Sequence, residues 1–204
     1  MGFGICLIGY AFLLLYEFGG GIFASVLMGY GFFLVSRLEK RFLAAALSAL
    51  FMLPHSILLL LDAFSYIKLD QMPTLYLISY LVYLLAWLSV SFWYLTSVRR
   101  IARACEAPKL AAKASNRLYL TALFICTAVV FVLLQEIASM VMGVLLYIVQ
   151  YVVIILNILF LHTCQILITS EKEYEKDRDY IRQVQEMEMK RIENGGKPRR
   201  KRRR

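Results

Sequence analysis

Long stretches of the chain carry no charge: residues 1–16, 18–36, 42–61, 71–98, 118–135 and 137–170 contain no Asp, Glu, Lys or Arg. Crossing the roughly 30 Å hydrocarbon core of a bilayer takes about 20 helical residues, a length that most of these stretches approach. Lipid offers no water to the backbone N–H and C=O groups, so segments of this kind satisfy them internally as helices. The pattern predicts an all-α, polytopic helical membrane bundle with spans near 3–17, 21–36, 42–61, 74–98, 118–136 and 142–169. A charged helix over 171–194 and a disordered polybasic tail over 195–204 are predicted to follow.

Residues 1–36 decide between six spans and five. Two helices there have about 16 residues each, or roughly 24 Å of rise, which is short but feasible where the bilayer thins. One helix would carry Gly19, Gly20 and Gly21 near its centre, where each glycine costs about 1 kcal/mol of helix propensity relative to alanine. The quartets Gly9-Tyr10-Ala11-Phe12 and Gly29-Tyr30-Gly31-Phe32 favour two segments that approach closely through small residues. The expectation is three hairpins, with the glycine triplet reversing the chain through positive φ and Glu17 left as a solvated marker of that turn.

Composition agrees with this picture: 60% of the 204 residues are hydrophobic, and the mean hydropathy is +0.65. The N-terminus has no basic region or small-residue cleavage pattern, so its first apolar run is expected to remain in the membrane. Cys6, Cys105, Cys126 and Cys164 are scattered and read as small packing residues rather than a disulfide framework or zinc site.

Charge sign then orients the bundle. Segments 37–41, 99–117 and 171–204 are net positive, whereas Glu17, Asp62, Lys68, Asp70 and Glu136 leave the remaining segments net negative; the whole chain carries +9. By the positive-inside rule the basic segments and both termini are cytoplasmic, in a membrane taken to be a bacterial plasma membrane. Asp62 to Pro73 becomes an outer loop, and a tight turn is required between Gln135 and Gly143.

Polar groups inside the spans are the candidate chemistry, because lipid makes them costly. His55 and Ser56 follow Pro54 at an expected kink. The plainer reading has the imidazole bonding a carbonyl freed by the proline; the sharper makes it a functional group. His162 sits nearer the cytoplasmic end, at a different depth, so the two histidines are not expected to share a metal. Gly143, Gln150, Asn157 and Cys164 recur at heptad spacing on one face of the last span. Tyr76, Tyr80, Tyr83, Trp87, Ser91 and Tyr94 form a stripe on the fourth. Should these two faces meet, they enclose a satisfied polar core or a small ligand pocket.

No HExxH, GxSxG, P-loop or paired intramembrane aspartate is present, so catalysis is not expected and neither a metal nor a cofactor is assigned. Lys197, Arg199, Arg200, Lys201, Arg202, Arg203 and Arg204 form the tail's basic run, expected to contact anionic inner-leaflet lipid in preference to specific nucleic acid. The layout is similar to the membrane part of polytopic bacterial sensors. The expected function is a non-enzymatic sensor, scaffold or accessory subunit that presents residues 171–204 to lipid, to a cytoplasmic or membrane protein partner, or to a second copy of itself. A small-solute transporter or channel subunit, its pocket lined by the Tyr/Trp and Gln/Asn faces, is the alternative.

Overall fold

The computed structural model describes the backbone of residues 2–134 and 140–193, and side chains up to residue 168 apart from 70 and 140. The regular structure of the described residues is all helical, with α-helices in the order α1 (Gly2–Phe12), α2 (Gly20–Val35), α3 (Arg41–Leu50), α4 (Leu53–Ala63), α5 (Pro73–Ala104), α6 (Pro108–Leu133) and α7 (Met140–Glu193). The chain divides into a bundle unit, Met1–Gln165, and a second unit, Ile166–Arg204. The second unit carries the C-terminal part of α7, which extends to Glu193. The basic tail and most of the turn expected after Gln135 lie outside the described residues.

Among the described residues, four stretches are long and apolar enough to cross a membrane: Arg41–Ala63, Pro73–Ala104, Pro108–Leu133 and Val141–Ile168. They mark the chain as an integral membrane protein. The stretch Arg41–Ala63 is broken between α3 and α4, and Pro54 occupies the first turn of α4. A proline there lacks the N–H that would continue the ladder and clashes with the preceding turn, which is why the kink falls just before it. Helices α5 and α6 run on through the basic segment between them, and the chain reverses at Cys105–Ala107, where Glu106 has a positive φ.

Gly2–Phe18 and Gly20–Val35 are apolar but shorter. They form a hairpin: α1 tightens into a 3-10 turn over Leu13–Phe18, and Gly19, at φ 79°, donates its N–H to the Leu15 and Tyr16 carbonyls as the chain reverses. Of the three glycines, only Gly19 uses the left-handed region. The expectation that all three glycines supply positive φ is thereby corrected. Gly20 and Gly21 are helical, and what they provide is space: a Cβ on Gly20 would lie 2.5 Å from the Phe12 carbonyl oxygen, and one on Gly21 the same distance from Ser56 Oγ. Glu17 lies exposed beside the turn, as its charge suggested.

The hairpin runs alongside the neighbouring helices for its whole length. Phe3 packs edge-on against Phe42 near the basic end, with ring centroids 5.8 Å apart, Tyr10 meets Tyr94 midway, and Tyr16 stacks on His55 towards the other end. Close approach through small residues, expected from the Gly quartets, is realised by Gly9 against Met28 and by Gly31 against Cys6 and Gly2. At the basic end Glu39 is 3.5 Å from Arg100 and 3.9 Å from Arg41. These pairs are largely solvent-exposed and contribute little to stability.

Candidate functional site

The tyrosine stripe of α5 exists as a ladder. Spacings of three and four residues put Tyr76, Tyr80, Tyr83 and Trp87 on one helical face. The first three rings are nearly parallel, with centroids 6.0 and 6.3 Å apart, and Trp87 then packs edge-on against Phe124 of α6 at 5.6 Å. The ladder meets the Gly143/Gln150/Asn157 face of α7, and what it encloses changes with depth.

In the basic half the two faces form a satisfied polar core. The Tyr94 hydroxyl donates to Asn157 Oδ1 at 2.9 Å, and Asn157 Nδ2 donates to Thr121 Oγ1 at 3.2 Å, linking α5, α7 and α6. All three residues are buried. Replacing Asn157 with the similarly sized leucine removes both bonds and leaves a phenol and a hydroxyl buried without them. At an average of about 0.6 kcal/mol for an interhelical bond in a membrane, N157L is expected to destabilise the bundle by roughly 1–2 kcal/mol. A thermal unfolding transition unchanged from that of the native protein would contradict the arrangement.

In the opposite half the faces part around a partly open pocket of about 560 Å³, where Tyr76 and Tyr80 of α5 look across to Gly143, Tyr147 and Gln150 of α7, with Asp62 at its rim. The two faces thus hold a hydrogen-bonded core at one depth and an open space at the other. Tyr83 and Trp87 lie below the pocket, fully buried, and line neither enclosure.

His55 lies behind the pocket's tyrosines. Its ring is surrounded by Tyr16, Tyr76, Tyr80 and Tyr83, with centroids 5.3–5.9 Å away. Nδ1 is 2.8 Å from Ser79 Oγ. The Ser79 hydroxyl is also 2.9 Å from the Tyr76 carbonyl oxygen, to which it can donate, so the direction of the His55–Ser79 bond follows the tautomer of the imidazole. Nε2 is buried and has no partner, as is the Tyr16 hydroxyl. The plainer sequence reading is corrected here, because His55 reaches across to α5 instead of bonding a carbonyl freed by Pro54. It is Ser56 that bonds back along its own helix, donating to the Met52 carbonyl at 3.0 Å.

Ser91 belongs to a third polar group. Its Oγ, Trp87 Nε1 and the Tyr10 hydroxyl are buried without hydrogen bonds of good geometry, although Ser91, Trp87 and Tyr94 are all polar neighbours of Tyr10. His162 joins none of these groups, since it lies on the exposed surface of α7. No three His, Cys, Asp or Glu side chains converge in metal-binding fashion among the described residues.

Three contributors were missed by the sequence reading. The charge pattern places Asp62 on the outer surface alone, nothing in the spacing singles out Tyr147, and Glu17 stands there as a turn marker. The Glu17 carboxylate is within electrostatic range of the Tyr16, Tyr76 and Tyr147 hydroxyls. Asp62 accepts the Leu69 N–H through Oδ1 at 2.9 Å, which fixes its carboxylate at the pocket rim. No known protein family, curated protein or solved structure matches the chain.

Proposed function

We propose that the protein is a non-enzymatic membrane receptor that binds a small solute in the pocket between α5 and α7 and signals through the cytoplasmic part of α7. The observation carrying this reading is that α7 lines the pocket at Gly143, Tyr147 and Gln150 and continues as one helix to Glu193. A ligand that shifts or turns α7 at the pocket thus acts on the element that leaves the membrane at the other end. Differential contact with two positions of α7 is the energetic requirement for such a signal.

In this reading the chain crosses a plasma membrane six times, with both termini and the basic segments cytoplasmic. The side-by-side run of the N-terminal hairpin with α3, α4 and α5 supports the count of six, and the charge distribution supports the orientation. The pocket then faces the exterior, while residues 171–204 meet inner-leaflet lipid or a protein partner. The transporter reading is less well supported, because buried Tyr83, Trp87 and Phe124 close the space below the pocket.

The test is a thermal-shift screen of full-length protein in nanodiscs, using a panel of small neutral, aromatic and cationic solutes. Gly143→Leu serves as the pocket-filling control, since a Cβ there meets only Phe131, at an ordinary 3.4 Å. At least one solute class is expected to raise the transition of the native protein while leaving that of G143L unchanged. A panel that moves neither protein, or moves both alike, would overturn the proposal.

A further inference from the structure

We infer that the ligand of this pocket is a small organic cation, an amine or quaternary ammonium; this rests on the receptor reading above. The pocket's polar equipment is of one kind. Its walls carry the rings of Tyr76, Tyr80 and Tyr147, its rim carries the Asp62 carboxylate, and Gln150 adds an amide. No Lys or Arg lines it. The Glu17 carboxylate adds negative potential at Tyr76 and Tyr147.

Neither Asp62 nor Glu17 has an ion-pair partner among the described residues, where the bridges found involve Glu39 at the other end of the bundle. Lys68 is the sole cation between residues 42 and 98. The pocket end is therefore an unneutralised negative region next to a cluster of electron-rich faces. A delocalised ammonium is attracted to both, by the quadrupole of each tyrosine ring and by the carboxylates' charge.

Two other ligand classes fit less well. Hard metal ions take six or more oxygen ligands, and here Asp62 is the one carboxylate on the lining. An anion would meet the Asp62 carboxylate on a lining that holds no Lys or Arg. A volume of about 560 Å³ falls within the range of roughly 300–1,000 Å³ typical of small-molecule sites, leaving room for an alkylammonium of modest size with its apolar groups against Leu77 and Leu146.

The experiment uses full-length protein in nanodiscs of zwitterionic lipid and compares choline, tetraethylammonium and benzyltrimethylammonium with 3,3-dimethylbutan-1-ol, the neutral carbon analogue of choline. Binding is read by calorimetry. At least one ammonium should bind, and the neutral alcohol at least tenfold more weakly than choline. Tyr80→Leu should weaken ammonium binding by about tenfold while Tyr80→Phe, which keeps the ring, preserves it. Asp62→Asn retains an acceptor for the Leu69 N–H, so it should weaken binding without loss of the native thermal transition. Equal binding of choline and its neutral analogue would overturn the cation assignment while leaving a solute pocket in place. Failure of all three ammonium ions to bind would overturn it as well. If some other solute still separates native protein from G143L, the receptor reading survives that failure.

Discussion

Replacing Gly31 with leucine is expected to lower the stability of the bundle by about 3 kcal/mol, towards the upper end of what inserting a side chain into a filled interface costs. The reason is the identity of the atoms that a side chain would meet. A Cβ built on Gly31 would lie 2.8 Å from the backbone nitrogen of Cys6 and 3.0 Å from the Gly2 carbonyl oxygen, with Cys6 Sγ at 2.5 Å. A flexible side chain can turn aside, but a helical backbone cannot, so α1 and α2 would have to separate along the hairpin. Gly29 provides the control on the same helix. The nearest atoms to a Cβ there are the Ala46 carbonyl oxygen at 3.5 Å and Leu50 Cδ2 at 3.6 Å, ordinary contacts. Gly29→Ala should therefore be tolerated or mildly stabilising, since alanine is favoured over glycine in a helix by up to about 1 kcal/mol. Thermal unfolding followed by the loss of monodisperse protein would read both variants. Similar transitions for G31L and G29A would refute the packing described between α1 and α2.

Much of that hairpin was legible in the sequence. The Gly quartets pointed to close approach, and the triplet at 19–21 to a reversal, because small residues at fixed helical spacing have few other uses in lipid. What the triplet does at each position was not legible, since only the neighbours across the interface distinguish the one glycine needed for φ from the two needed for space. The tyrosine and Gln/Asn stripes were legible for the same reason that any helical face is, through spacings of three, four and seven. Their meeting at two depths with two outcomes was not. That depends on where α5 and α7 diverge, which no periodicity encodes.

His162 could have been separated from the Asn157 face by counting alone. Five residues at about 100° each carry it roughly 140° around the helix, and the structure has it exposed. The pairing of His55 with Ser79 required the register of α4 against α5, set by the kink before Pro54 and the length of the loop from Phe64 to Met72. Asp62 and Glu17 were read as solvent markers because each stands at a helix end. The pocket opens at that same end, so exposure and participation in the site are compatible. A charge near a helix terminus says which side of the membrane it favours and nothing about which cavity lies beside it.

Deleting residues 195–204 is expected to have the largest effect on interactions outside the bundle. Seven of the eight residues from Lys197 to Arg204 are cationic, and each basic residue near an anionic leaflet contributes about 1 kcal/mol. Even if half of that is realised, the loss amounts to roughly 3–4 kcal/mol, or a few hundredfold in binding. The remainder of the C-terminal segment does not replace it, because residues 171–194 carry six basic and eight acidic residues. The test immobilises full-length protein in nanodiscs of zwitterionic lipid and measures capture of phosphatidylserine-containing vesicles. Capture should be strong for the native chain at low salt and at least a hundredfold weaker for the deletion. It should also collapse for the native chain near 1 M salt, where the screening length falls to about 3 Å. The deletion removes no residue of the bundle, so its thermal transition should be unchanged, which separates loss of lipid binding from loss of fold. Capture that persists without the tail would assign the lipid contact to the helix instead. Capture of a cytosolic protein with the same salt dependence, and no capture of anionic vesicles, would make the tail a docking site for an acidic partner.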